Sequence, residues 1–148
     1  MGFRAILGGC LLVCSMVATA DFEMFKDYEM SEAVVSMTTV RVSAGKGEDY
    51  LEGLKQTWVA SNEVAKELGH IEDFSIYASQ LPESGDFNIV LLVNYKSLAS
   101  HAPNKARYDA FMAKWSDKQV KRNEKIAETY PELREIVGEY LLSRVVFK

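Results

Sequence analysis

The chain has 148 residues, 48% of them apolar and 26% charged, with a formal net charge of −4. That is the composition of one ordinary globular domain, and it argues against disorder. The acidic balance lacks the electrostatic term that drives nonspecific nucleic-acid binding, so no nucleic-acid partner is expected.

The first twenty residues differ from the rest. Arg4 supplies a basic start, Ala5 to Val17 is almost wholly apolar, and Ala18-Thr19-Ala20 ends the run on small residues. This order of regions is that of a secretory signal peptide cleaved after Ala20. The apolar run is shorter than the ~20 residues a spanning helix needs, so the mature protein is expected to have no transmembrane segment. Export to the periplasm or the extracellular medium follows. Losing Arg4 from 17 basic residues, against 21 acidic ones, would take the charge from −4 to −5. Both cysteines, Cys10 and Cys14, lie in this segment. A mature chain without cysteine can form no disulfide, thiolate nucleophile or iron–sulfur site, so stability must come from its core, with or without help from a partner subunit.

Residues 21–32 read as a lead-in, acidic, with Phe22, Phe25 and Tyr28 at spacing three. They suggest a short packed helix or a frayed end. The domain proper is expected over 33–148. Ala33 to Ser43 carries six β-branched residues and reads as a strand. Ala44-Gly45-Lys46-Gly47 breaks it. Glu48 to Leu68 has helical spacing through Tyr50, Leu51, Leu54, Trp58, Ala65 and Leu68, with Gly69 as its C-terminal cap. Asp73 to Gln80 alternates as a second strand. Leu81-Pro82-Glu83-Ser84-Gly85-Asp86 forms a connection, and Phe87 to Tyr95 is a third, more apolar strand. Lys96 to Pro103 reads as a loop or broken helix start.

Asn104 to Ala127 reads as one long helix whose pattern weakens after Trp115. Tyr130-Pro131 interrupts it, because proline disfavours helix in the preceding residue. Pro131 to Val137 suggests a further helical turn or two, and Glu139 to Phe147 alternates as a fourth strand. The order β-α-β-β-α-β predicts an α+β, ferredoxin-like domain: a four-stranded antiparallel sheet with two main helices on one face. Since the strands are apolar on both faces, the second face needs a cover, and a homodimer would supply one.

The strand Val34–Val42, the tryptophan-bearing first helix, the hairpin Phe74–Tyr95 and the end Arg134-Glu135-Ile136-Val137-Gly138-Glu139-Tyr140-Leu141-Leu142 together resemble the dimeric α/β-barrel superfamily. That superfamily includes antibiotic-biosynthesis-type monooxygenases and related small domains. The resemblance spans about residues 33–147. It implies two sheets packed face to face and a cleft in each protomer between sheet and helices. It leaves open whether the chain is an enzyme, since the superfamily holds cofactor-free oxygenases, haem-handling enzymes and non-enzymes.

The chemistry-bearing residues are few. His70 and His101 are far apart, with no metal-binding spacing, and no metal or cofactor is expected. Ala44-Gly45-Lys46-Gly47-Glu48 lacks the spacing of a phosphate loop, and no Gly-x-Ser-x-Gly elbow occurs. Lys114, Lys118, Lys121 and Lys125, with Arg122, recur at helical spacing. They read as a solvated face, or else as a contact for an anionic partner. A site for a small apolar or aromatic ligand is expected in the sheet–helix cleft, with Tyr50, Trp58 and Trp115 as walls and Asn94 and His101 as polar handles. Core packing is the more ordinary explanation of the same aromatics. The leading functional reading is an exported small-molecule-binding or otherwise noncatalytic dimer. The alternatives are a cofactor-independent monooxygenase-like enzyme and an interaction module using the basic helix.

Overall fold

A computed structural model describes residues 21–81 and 85–148. The signal segment 1–20 therefore lies outside the described residues. Four strands form one antiparallel sheet: β1 (Tyr28–Val42), β2 (Asp73–Ala78), β3 (Ile89–Tyr95) and β4 (Arg134–Phe147), in the order β2-β3-β1-β4. The helices are α1 (Gly47–Leu54), α2 (Ala60–Glu67), α3 (Leu98–His101), α4 (Lys105–Lys114), α5 (Asp117–Ala127) and α6 (Tyr130–Leu133). Strand order and connectivity are those of a ferredoxin-like α+β fold, as the alternation of sequence patterns predicts.

The first helical unit runs unbroken from Gly47 to Glu67, but Lys55–Val59 winds as a π segment between α1 and α2. The Thr57 hydroxyl donates to the Gly53 carbonyl at 2.9 Å, one turn back. Such back-bonding competes with the backbone ladder and accompanies the wider turn. The unit ends in a Schellman motif. Gly69, at φ 68°, donates to Lys66 O, and His70 donates to Ala65 O. Glycine takes that left-handed conformation without a Cβ clash.

The second helical unit differs from its expected form. It breaks at Trp115, whose backbone is extended, and restarts at Ser116. Ser116 and Gln119 form a reciprocal capping box, with Gln119 Oε1 accepting from the Ser116 N–H at 3.0 Å. This satisfies the orphan donors of α5 and so favours a fresh start there. Pro131 sits in the first turn of α6, where its missing N–H costs nothing.

β1 and β4 are both longer than their patterns suggest. β1 starts at Tyr28, because Tyr28, Glu29 and Met30 pair with Phe147, Val146 and Val145. β4 starts at Arg134, opposite Val42, with a bulge where Gly138 meets Thr39. The lead-in aromatics do not form a helix. Phe22 stacks on Tyr28 at 5.2 Å and tilts against Phe147 at 6.4 Å, which closes the tip of this two-strand extension.

Strand alternation sorts the sheet into two faces. Val34, Val40 and Val42 of β1 and Ile89 and Leu91 of β3 are buried. Val40, Val42, Ile89 and Leu91 join Tyr50 and Leu54 in one core, with Trp58, Ile76, Tyr130 and Leu133 packed around it. The helix layer leans on this face. α6 and α5 approach α1 closely at Gly53, where an added Cβ would stand 3.1 Å from Tyr130 Cε1 and 3.3 Å from Ile126 Cγ2. Gly53→Ala should therefore lower stability by about 1–2 kcal/mol in urea unfolding. Gly47→Ala, which meets open space, should be neutral or slightly stabilising. Equal effects of the two changes would refute this packing account.

Candidate binding site

The cleft between sheet and helices is filled over most of its length. Tyr50 is 1% exposed, and its ring meets Tyr130 edge-on at 5.5 Å. Trp58 stands edge-on to Phe74 at 5.5 Å. Both are core residues in this geometry. The open part lies at the end of the sheet, a pocket of about 290 Å³ between the β1–α1 turn and the ends of β2 and β3. Val42, Leu51, Ala78 and Ile89 give it apolar walls, and Ser43, Ser79 and Asn88 line it as well.

Asn88 builds this end of the fold. Its Oδ1 accepts from the Val42 N–H at 2.8 Å, and its Nδ2 donates to the Val42 carbonyl at 2.9 Å. The side chain thus extends the pairing of β1 with β3 past the last backbone rung, and its amide is spent on structure. The sequence carries no strong signal for this role. The sequence pattern takes Asn88 into the third strand, Phe87 to Tyr95, where a lone Asn stands out only as a poor strand former.

The five residues proposed from the sequence are not gathered into one site. Tyr50 and Trp58 share the core. Trp115 is buried at the end of α4, stacked on Phe111 at 5.5 Å, outside that main cluster. Asn94 pairs with Val35 and alternates with Tyr95, which places it on the face away from the helices. His101 is exposed and meets the Tyr95 ring edge-on at 5.0 Å. Asn94 and His101 therefore point to different sides of the sheet. None of the five lines the pocket, whose residues come from the turn at 43–47 and the strand ends.

The basic stripe is divided by the helix break. Lys114 belongs to α4 and pairs with Glu67 of α2 at 2.6 Å. Arg122 of α5 binds Gln56. Lys118, Lys121 and Lys125 stay exposed on α5. Among the described residues, no group of three His, Cys, Asp or Glu side chains is placed to hold a metal ion, and no helix is long and apolar enough to cross a membrane.

Among the described residues, no helix covers the second sheet face. Val35 and Met37 of β1, Val90 and Leu92 of β3, Tyr77 of β2, and Tyr140 and Leu142 of β4 share it by register. Tyr77 is 59% exposed, Tyr140 49% and Leu142 43%. Arg41 lies at one end of this face, 3.5 Å from Asp86 and 3.4 Å from Glu135. An apolar centre with a charged rim is the anatomy of a protein interface.

No family model and no curated protein sequence matches the chain. Among solved structures it is similar to the protein SO0527 of Shewanella oneidensis, at 14% identity and a TM-score of 0.51, covering 81% of this chain and 99% of that one. It is also similar to a NIPSNAP family protein of Agrobacterium tumefaciens, at 19% identity and a TM-score of 0.51, covering 79% and 92%. At these identities the likeness speaks to fold alone.

Burial pushes the phenols of Tyr50 and Tyr95 above their ordinary pKa; nearby Arg134 and Arg107 respectively pull the other way. A pKa raised on folding contributes stability that is complete below the unfolded value of about 10 and is lost as pH rises through the folded value. Stability should thus be insensitive to these groups at neutral pH and fall above about pH 10. Tyr50→Phe should flatten that alkaline fall in urea titrations. An unchanged profile would show that Tyr50 does not couple to folding.

Proposed function

We propose that the chain is an exported, noncatalytic small-molecule-binding domain that works as a homodimer, its two sheets facing each other as a dimeric α/β barrel. The open apolar sheet face carries this reading. A lone domain with such a face would expose a contiguous apolar patch to water, and a second copy turned about a two-fold axis buries both patches at once. The pocket at the sheet end supports the binding role. Its volume is near the lower end of the ~300–1,000 Å³ usual for ligand sites, and apolar walls with a few polar atoms are what such sites use. Among the described residues its lining holds no titratable side chain, which favours binding over the acid–base work of a monooxygenase-like enzyme. The basic stripe, split between α4 and α5, supports an interaction module less well than a continuous one would.

The export reading rests on Arg4, the apolar run and Ala18/Ala20. Intact-mass analysis of the exported protein should begin at Asp21; recovery of full-length chain from the cytoplasm alone would contradict it.

Sedimentation of the mature protein at micromolar concentration should give twice the monomer mass. Met37→Glu, at the centre of the open face, should weaken the dimer at least about 10-fold, or ~1.4 kcal/mol. Native mass spectrometry should find a small molecule retained by the wild-type protein and lost from Ala78→Phe, which fills the pocket. A clean wild-type monomer would overturn the dimer, and retention by Ala78→Phe would overturn the pocket.

A further inference from the structure

The pocket at the sheet end has a definite chemical character. Its walls, Val42, Leu51, Ala78 and Ile89, are aliphatic, and among the described residues no aromatic ring lines it. The amide of Asn88, its largest polar group, is spent on the backbone of Val42. Two serine hydroxyls remain. Ser79 Oγ accepts from the Leu81 N–H at 3.2 Å and keeps its own proton to give. Ser43 pairs its backbone with Leu133 and Lys46, and among the described residues its hydroxyl makes no hydrogen bond.

The lining offers no counterion to a charged ligand. Lys46, between the two lining glycines, is paired with Asp49 at 3.7 Å. Glu48, beside Gly47, has no ion pair among the described residues and would repel an anion. An ion of either sign would leave water for aliphatic walls without a partner, which is costly.

Gly47 is unexplained by the fold. Gly45 stands at φ 75°, where glycine is favoured, but Gly47 lies outside that region. It opens α1, although glycine is a poor helix former, and a Cβ added to it would meet nothing within 4 Å. What glycine does supply is space, and Gly47 lines the pocket.

We infer that the pocket takes a small, uncharged aliphatic carbonyl compound, admitted by the missing side chain at Gly47 and held through its oxygen by the Ser43 or Ser79 hydroxyl. The inference rests on the reading of this pocket as a ligand site and adds the chemistry of the ligand.

Cyclohexyl methyl ketone, cyclohexanecarboxylate and protonated 1-cyclohexylethylamine share one shape and differ in charge, so they are the probes. Titrating the ketone into the wild-type mature protein should move the backbone amide NMR signals of Gly45 and Gly47. The carboxylate and the ammonium should each bind at least about tenfold more weakly. Changing Ser43→Ala and Ser79→Ala together should weaken the ketone about three- to tenfold, the loss of one hydrogen bond. Gly47→Leu, which fills the space, should abolish ketone binding with no fall in melting temperature. Equal affinity for the three probes, with binding lost in Ala78→Phe, would overturn the ligand class and leave the pocket standing. An undiminished ketone affinity in the serine double variant or in Gly47→Leu would overturn the contacts named. Binding of none of the probes to the wild-type protein, or ketone binding that survives Ala78→Phe, would overturn the pocket as well.

Discussion

Everything in this fold is hung on β1. It shares the middle of the sheet with β3, and it alone runs the full length of the fold, paired with β3 over Val34–Val40 and with β4 along nearly its whole length. Its alternating side chains therefore sit at the middle of both sheet faces. On one side Val40 and Val42 anchor the core under Tyr50 and Leu54. On the other, Val35 and Met37 form the centre of a face that no helix of the described chain covers. A strand so placed must be apolar on both sides, and its β-branched run meets that demand. The cost is a second face in need of a cover.

That constraint also explains what the sequence showed and what it hid. Strand and helix periods from Val34 to Leu68 were plain, because each residue's neighbours along the chain share its environment. The cap at Gly69 was readable for the same reason, as local chemistry with one conformational solution. The break at Trp115 was visible only as a fading pattern. Yet Ser116-Asp117-Lys118-Gln119 spells a capping box, and that signal would have located the restart. The extra rungs of β1 and β4 were not legible. Tyr28 to Met30 become strand because Val145 to Phe147 lie beside them, and such pairing is a long-range fact.

The candidate site was less legible than the fold. Tyr50, Trp58 and Trp115 look alike in sequence whether they line a cavity or fill one, because burial and pocket walls use the same residue types. Asn94 was placed at the right end of β3, but alternation turns it to the other face. The pocket is built from residues with little individual signal: Val42, Ser43, Leu51, Ala78 and Asn88. The surroundings of Arg134 are set by two tyrosines, Tyr50 and Tyr130, that lie eighty residues apart in the chain. Titratable groups announce themselves in sequence only when their partners are local.

The account stands or falls on what covers Met37. Hydroxyl-radical footprinting of the mature protein, run from nanomolar to tens of micromolar concentration, compares Met37 on the open face with Met24 at the tip of the β1–β4 extension. If a second copy covers the sheet, Met37 oxidation falls steeply as concentration rises, together with labelling of Tyr77 and Tyr140, while the fold stays intact by circular dichroism. If Met37, Tyr77 and Tyr140 are labelled as readily at high concentration as at low, the face is not buried by a partner copy and the dimeric account is wrong.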